Sequence, residues 1–344
     1  MQNQTRCEKL LTIFRMLVAA IVILFFALEI FTILIRNEGE RPLPPMFGNF
    51  PENRAVLEKV TDPGNFTFAV IGDTRSFGTF ENIIEQLRII PFDFGILLGD
   101  FAMKPTEADH KYFRAECLHE YALPVPLFFV AGNHDVNMQT FPIKRFEEFY
   151  GPSIFSFEYK QCLFIVLRIL NPPFTNEESL KFLRSFKKED IGRYRHTFAF
   201  IHIPPPITIF SKAKDYPAAD QLASIFDELG IDQVFAGDFH GWAQVVREKT
   251  TYTITGGGGA YLSSRELTNQ FHHAMLIHVA SNTIQSRIIY APHVEKIDDH
   301  LENFAITMFW PWMQKNSNFL IFLNLMALVV GYIVVLKKLS WELL

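Results

Sequence analysis

Short polar motifs recur along this chain, each placed where an apolar, β-prone run stops, and they constrain its fold more than any other feature. Gly72-Asp73-Thr74-Arg75 follows the run 66–71, Gly99-Asp100 follows 94–98, Gly132-Asn133-His134-Asp135 follows 127–131, and Gly237-Asp238-Phe239-His240 follows 233–236. His202, after 197–201, makes a fifth such group. In an α/β sheet the loops at the carboxyl ends of the strands converge on one crevice, so these distant groups are expected to meet. Asp, Asn and His together form a ligand set for a divalent metal, and the glycines let the backbone approach an ion closely. A lone Asp such as Asp100 suits a carboxylate bridging two metals.

The runs between the motifs alternate with amphipathic segments, which predicts an α/β fold. Strands are expected at 66–71, 94–98, 127–131, 155–159, 163–167, 197–201, 233–236, 243–247, 252–255, 274–279 and 284–290. Helices are expected at 80–90, 108–120, 143–150, 177–186 and 218–229. The βα units come first and a β meander comes last.

In order and spacing, these motifs resemble the calcineurin-like metallophosphoesterases over about residues 66–290. That resemblance implies a four-layer αββα sandwich of two mixed sheets flanked by helices. It implies that Asp73 and His240 bind one divalent ion, that Asn133 and His202 bind a second, and that Asp100 bridges them. His134 would then act on the phosphate and leaving oxygen, with Asp135 orienting its ring. The implied chemistry is hydrolysis of a phosphoester by a metal-activated hydroxide. Two positions depart from the family pattern, where Asp-x-His and Gly-His-x-His are usual: here they are Arg75 and Asp238. Arg75 has no lone pair to offer a metal, whereas Asp238 can ligate through oxygen. The second ion therefore keeps four candidate ligands (Asp100, Asn133, His202, Asp238) against three for the first, and is expected to fill first. Either Asp238 binds metal while Arg75 grips a phosphate oxygen, the favoured arrangement, or the two form a salt bridge. The added carboxylate favours manganese, iron or magnesium over zinc.

Both ends of the chain are apolar. The run 16–35, interrupted by Glu29 and Thr32, is long enough to cross a bilayer and lacks the short apolar core and cleavage site of a signal peptide. A second candidate span is 319–336, interrupted by Asn324 and Gly331. Arg6, Lys9 and Arg15 before the first span, with Lys337 and Lys338 after the second, place both termini in the cytoplasm and the domain outside it. Phe309, Trp310, Trp312 and Lys315 resemble an interfacial belt, with Trp341 at the opposite face. Glu29 and Asn324 fall at similar depth. The simpler expectation is that Glu29 reaches towards the outer interface; the alternative is a hydrogen bond across the two helices.

The organisation expected is a cytoplasmic N-terminus (1–15), a transmembrane helix (16–35), a linker (36–65), the phosphoesterase domain (66–292), a juxtamembrane interfacial segment (293–318), a transmembrane helix (319–336) and a cytoplasmic tail (337–344). A net charge of −5 gives no basic stripe for nucleic acid. Three cysteines, Cys7, Cys117 and Cys162, are too few for a disulfide framework or zinc ribbon. Gly256 to Gly259 lacks the Lys and Ser/Thr of a phosphate-binding loop and reads as a tight turn beside the site. The expected substrate is a phosphoester, first a phospholipid or lipid-linked phosphate and otherwise a soluble nucleotide or sugar phosphate. The rival reading is a non-catalytic membrane receptor or scaffold with a degenerate phosphoesterase domain.

Overall fold

The computed structural model describes residues 2–207, 219–262 and 269–333. Two mixed sheets stack face to face. The first has five strands in the order β11-β10-β1-β2-β3: β1 (Phe66–Ile71), β2 (Phe94–Leu97), β3 (Leu127–Phe129), β10 (His273–Val279) and β11 (Ile284–Tyr290). The second has six in the order β4-β5-β6-β7-β9-β8: β4 (Phe155–Tyr159), β5 (Cys162–Val166), β6 (His196–Ile201), β7 (Gln233–Ala236), β8 (Trp242–Arg247) and β9 (Thr250–Thr255). Every strand expected from the pattern is present, with ends displaced by a residue or two.

Alternation along the strands divides side chains between cores. Phe66, Phe68 and Val70 of β1 turn inward with Phe94, Phe128, Phe164, Phe198 and Phe235 to fill the space between the sheets. Rings there pack at close range, as Phe68 does on Phe94 at 5.3 Å. The alternate residues Ala69 and Ile71 face outward under the helices α3 (Thr79–Arg88), α4 (Glu107–His119) and α5 (Ile143–Tyr150). Leu163, Ile165, Ala199 and Ile201 of the second sheet lie under α6 (Glu177–Arg184) and α8 (Ala219–Leu229), with the short α7 (Lys188–Ile191) beside them. Position 218 of the expected helix lies outside the described residues.

β1, β2 and β3 run parallel, as do β6 and β7. Their carboxyl ends therefore share one edge of the stacked sheets, and that edge carries the polar motifs.

The N-terminal helix α1 runs over Gln2–Gly39, beyond the span 16–35. Within it, Thr12–Gly39 contains an 18-residue window with a mean hydropathy of 2.9, and this is the one helix among the described residues long and apolar enough to cross a membrane. Its last turns dock on the domain: Ile35 is buried with Tyr112, Ala115, Ala305 and Ile306, and Phe31 and Phe77 pack on that cluster. A Cβ on Gly39 would meet the Lys111 carbonyl at 2.5 Å, so only glycine lets α1 approach α4 this closely.

The segment 36–65, expected as a linker, is tied to the domain. Phe47 bridges to Leu127, the Asn49 side chain exchanges two hydrogen bonds of 2.8 Å with the Phe129 backbone, and α2 (Pro51–Glu58) follows. Beyond β11 come α9 (Ile297–Phe304), a π-helical turn (Ala305–Phe309), α10 (Trp310–Lys315) and the apolar α11 (Ser317–Gly331). The described part of α11 counts 15 residues against the about 20 of a span; positions 334–336 of the expected helix, with Lys337, Lys338 and Trp341, lie outside the described residues. Arg36 stacks over Trp310 at 4.8 Å. Asn324 donates to Glu29 Oε2 at 3.1 Å, so Glu29 pairs with the neighbouring helix rather than turning to the outer interface. Cys117 and Cys162 are free and buried, and the side chain of Cys7 lies outside the described set.

Candidate metal centre

Three carboxylates stand at the shared strand edge on left-handed backbone: Asp73 (φ 56°), Asp100 (φ 55°) and Asp238 (φ 63°). L-residues adopt this region at a cost, and such residues collect at functional sites where the surroundings hold them. Each follows a glycine that has no room for a side chain. A Cβ on Gly99, for example, would meet the Gly132 backbone and His202 Nδ1 at 2.8 Å.

Two groups of donors form, with Asp100 common to both. His202, fully buried on the tip of β6, places Nε2 2.9 Å from Asn133 Oδ1, 3.3 Å from Asp100 Oδ1 and 4.0 Å from Asp238 Oδ1. Its Nδ1 donates to the Leu98 carbonyl at 2.7 Å, which fixes the ring. In the other group His240 Nε2 lies 3.5 Å from Asp73 Oδ1, and its Nδ1 donates to the Tyr261 carbonyl at 2.5 Å. One donor atom each from Asp73, Asp100 and His240 falls within 4.8 Å of the others. The Asp238 backbone N–H donates to Asp73 Oδ2 at 2.9 Å, which links the groups.

Charge here is unbalanced. Burial lifts the Asp73 carboxyl above its ordinary value, and Oδ1 has no hydrogen-bond partner. Burial also opposes protonation of His202, yet the carboxylates of Asp100, Asp73 and Asp238 raise it to about 9. Asp100 resists burial too: His202, Arg75 and His134 hold it below its ordinary value.

Arg75 Nη2 lies 3.7 Å from Asp100 Oδ2. Among the described residues no ion pair joins Arg75 to Asp238, so the salt-bridged alternative does not form. His134 lies at the mouth with Nε2 4.0 Å from Asp100 Oδ2, and burial lowers its pKa. Asp135 does not serve the His134 ring as expected. Its oxygens accept the backbone N–H groups of Asp100, Phe101, Ala102 and Gly132 at 2.8–3.0 Å, because the loop folds the carboxylate inward beneath the strand tips.

The run Gly256 to Gly259 presses on the first motif: Gly258 N donates to the Gly72 carbonyl at 2.6 Å, and a Cβ on Gly256 would lie 2.5 Å from Asp73 Oδ2. His272 and His273, which follow it, are buried; His273 hydrogen-bonds Thr255 Oγ1 at 2.9 Å.

Some site residues escaped sequence reasoning. A pocket of about 490 Å³ opens beside Arg75, lined also by Phe77, Met103, Tyr261, His293 and Glu295. Phe77 and Tyr261 stand next to motifs already singled out, and that adjacency is the only signal they carried. His110 Nε2 donates to the Asp135 carbonyl at 2.7 Å and its Nδ1 hydrogen-bonds Tyr150 Oη at 2.8 Å, bracing the Asn133 loop from a helix with no motif at all.

A family model for the calcineurin-like phosphoesterases matches residues 66–242. Among solved structures, GAP50 of Plasmodium, described as the anchor in the inner membrane complex, is similar at 12% identity over 71% of this chain and 95% of that one, with a TM-score of 0.49. The purple acid phosphatase PPD1 from yellow lupin seeds is similar at 14% identity over 70% of this chain and 56% of that one, also with a TM-score of 0.49. No curated protein matches by sequence. With more than half its length matched by the family model and the motif residues gathered at one strand edge, the chain belongs to the calcineurin-like phosphoesterase family.

Proposed function

We propose that the protein is a membrane-anchored, divalent-metal-dependent phosphoesterase acting on phosphoesters presented at a membrane surface. The observation that carries the metal is Asp73, a fully buried carboxylate with one oxygen unpartnered beside Asp100 and His240. With Oδ2 held by the Asp238 N–H and Oδ1 facing only His240 at 3.5 Å, part of the cost of burying this charge stays uncompensated, and a bound cation can offset it. Asp73, Asp100 and His240 would hold one ion; Asp100, Asn133, His202 and Asp238 would hold the other. Oxygen and imidazole donors without thiolate suit manganese, iron or magnesium. Ions bound there supply Lewis acidity and lower the pKa of water.

The chain's own groups do the rest. Arg75 offers a fixed cation for a phosphate oxygen. His134 stands at the mouth, where it can hold or give a proton at the leaving oxygen. Asp135 keeps the loops of Asp100 and Asn133 in register.

The lipid part of the proposal rests on Phe77. This residue walls the pocket beside Arg75 and packs against the cluster in which Ile35 of α1 is buried with Tyr112, Ala305 and Ile306, so one apolar cluster joins the site to the N-terminal helix. Ile297, Leu301 and Met308 are exposed on the segment that follows the pocket residues His293 and Glu295. A phospholipid, lipid-linked phosphate or glycolipid phosphoester would meet both the centre and this apolar border. In this reading α11 forms the second span and residues 66–292 lie outside the cytoplasm.

The full chain, reconstituted with manganese in vesicles, should hydrolyse a phospholipid phosphoester with kcat/KM at least about ten-fold above that for a soluble nucleotide, a difference of about 1.4 kcal/mol. Equal values would remove the lipid assignment and leave the phosphoesterase. Hydrolysis of neither would remove both.

A further inference from the structure

A second, separate cluster of acids lies where the juxtamembrane helix meets the domain. Glu81 comes from α3, Glu116 and Glu120 from the end of α4, and Asp299 and Glu302 from α9. One lysine faces them: Lys296 pairs with Glu81 and lies 2.9 Å from Glu120 Oε2. His119 is nearby but turns to Glu38 at 3.6 Å.

Buried oxygens that no donor reaches collect at this seam, Glu81 Oε1, Glu116 Oε2, Asp299 Oδ2 and Tyr112 Oη, and the carboxyls meet acid to acid, Glu81 with Asp299 and Glu116 with Glu302. Glu81 and Asp299 are only 1% and 2% exposed. Native proteins leave few buried polar atoms unpaired, and several in one place point to a missing partner. One oxygen each from Glu81, Glu120 and Asp299 lies within 4.8 Å of the others, close enough to share one ion.

We propose that Glu81, Glu120 and Asp299 bind a divalent cation of the calcium class, which fastens α9 to the phosphoesterase domain. The donors are all oxygen, the preference of hard cations, and three helices converging irregularly suit calcium's variable coordination better than the strict octahedron of magnesium. Lys296 acts as a tethered competitor that holds part of the site when the ion is absent. This site does not depend on the catalytic centre.

The test uses the full chain in detergent, stripped with chelator and titrated with calcium, with apparent Tm and terbium luminescence sensitised by Tyr112 as readouts. Wild type should gain about 5–10 °C at a hundred-fold excess over Kd. Asp73→Asn should keep that gain, whereas the Glu81→Gln/Asp299→Asn pair should lose most of it. Should the pair fail to fold, Glu120→Gln at the rim should weaken terbium binding about ten-fold, about 1.4 kcal/mol. Lys296→Met should lower Tm in chelator, bind calcium more tightly and recover with it. An unchanged gain in the Glu81→Gln/Asp299→Asn pair, unchanged terbium affinity in Glu120→Gln, loss of the gain in Asp73→Asn, or no recovery of Lys296→Met would each overturn the proposal.

Discussion

Replacing Asp135 by asparagine tests what holds the two central loops together. The carboxylate accepts four backbone N–H groups, from Asp100, Phe101, Ala102 and Gly132, at 2.8–3.0 Å. Asparagine offers one oxygen and an NH2 group, so two of those amides lose their acceptor and face a donor instead. A hydrogen bond to a charged group contributes about 1.5–3 kcal/mol, which puts the loss at about 3–6 kcal/mol. Against a usual total of about 5–15 kcal/mol, that is a severe defect. At about 2–4 °C per kcal/mol it corresponds to a fall in apparent Tm of about 6–24 °C. The measurement belongs at pH 8, above the value of about 7 to which burial raises this carboxyl, so that the wild-type side chain is ionised. Thermal unfolding of chelated protein in detergent gives the shift, and manganese retention should fall with it because Asp100 and Asn133 ride on the tied loops. An Asp135→Asn protein that melts within about 2 °C of wild type while turning over slowly would refute this reasoning and return Asp135 to the role of orienting His134.

His134→Ala should reduce turnover by about 10²–10⁴-fold while metal content by elemental analysis stays level; equal turnover would remove His134 from the reaction. In calcium-free buffer, stability should fall as pH rises. The Glu81 carboxyl is raised by burial from 4.5 to about 8, so its protonated form favours the fold, and that contribution is complete below 4.5 and lost as pH passes 8. Apparent Tm should drop by a few degrees between pH 6 and 9, and Glu81→Gln should flatten the profile; a profile unchanged by the substitution would reject the assignment. Cysteines at positions 29 and 324 should crosslink under mild oxidation in membranes, since the two side chains hydrogen-bond at 3.1 Å, and absence of any crosslink would count against that pairing.

Much of the fold was legible because the chain states it locally. β1 and β7 are aromatic and β-branched runs closed by Gly-Asp, and α5 carries Phe146, Phe149 and Tyr150 on one buried face, so their ends could be read directly. Helix α2 was not legible, because Pro51–Glu58 is short, polar and held by Asn53 and Leu57 against the domain. Nor was α9, which falls inside the juxtamembrane segment 293–318 expected from the aromatic residues further on, while its Asp299 is buried beside Glu81 of α3.

At the site, the donors announced themselves as strand-end motifs. Their grouping depends on parallel neighbours in two sheets, which spacing alone does not encode. Asp135 shows the limit most plainly: its partners are backbone amides in another loop, and backbone groups carry no mark in the sequence. The Arg75 and Asp238 pair was visible as a departure, but which carboxylate Arg75 faces is decided by the turn at Asp100.

The most direct measurement is elemental analysis of the full chain after reconstitution with manganese and removal of free ion, beside phosphoester hydrolysis by the same samples. Wild type should retain about two ions per chain and hydrolyse the ester, and Asp100→Asn should retain neither ion nor activity, because that carboxylate belongs to both donor groups. A wild-type protein that keeps no manganese, iron or magnesium and hydrolyses no ester would contradict the metal centre and favour a scaffold.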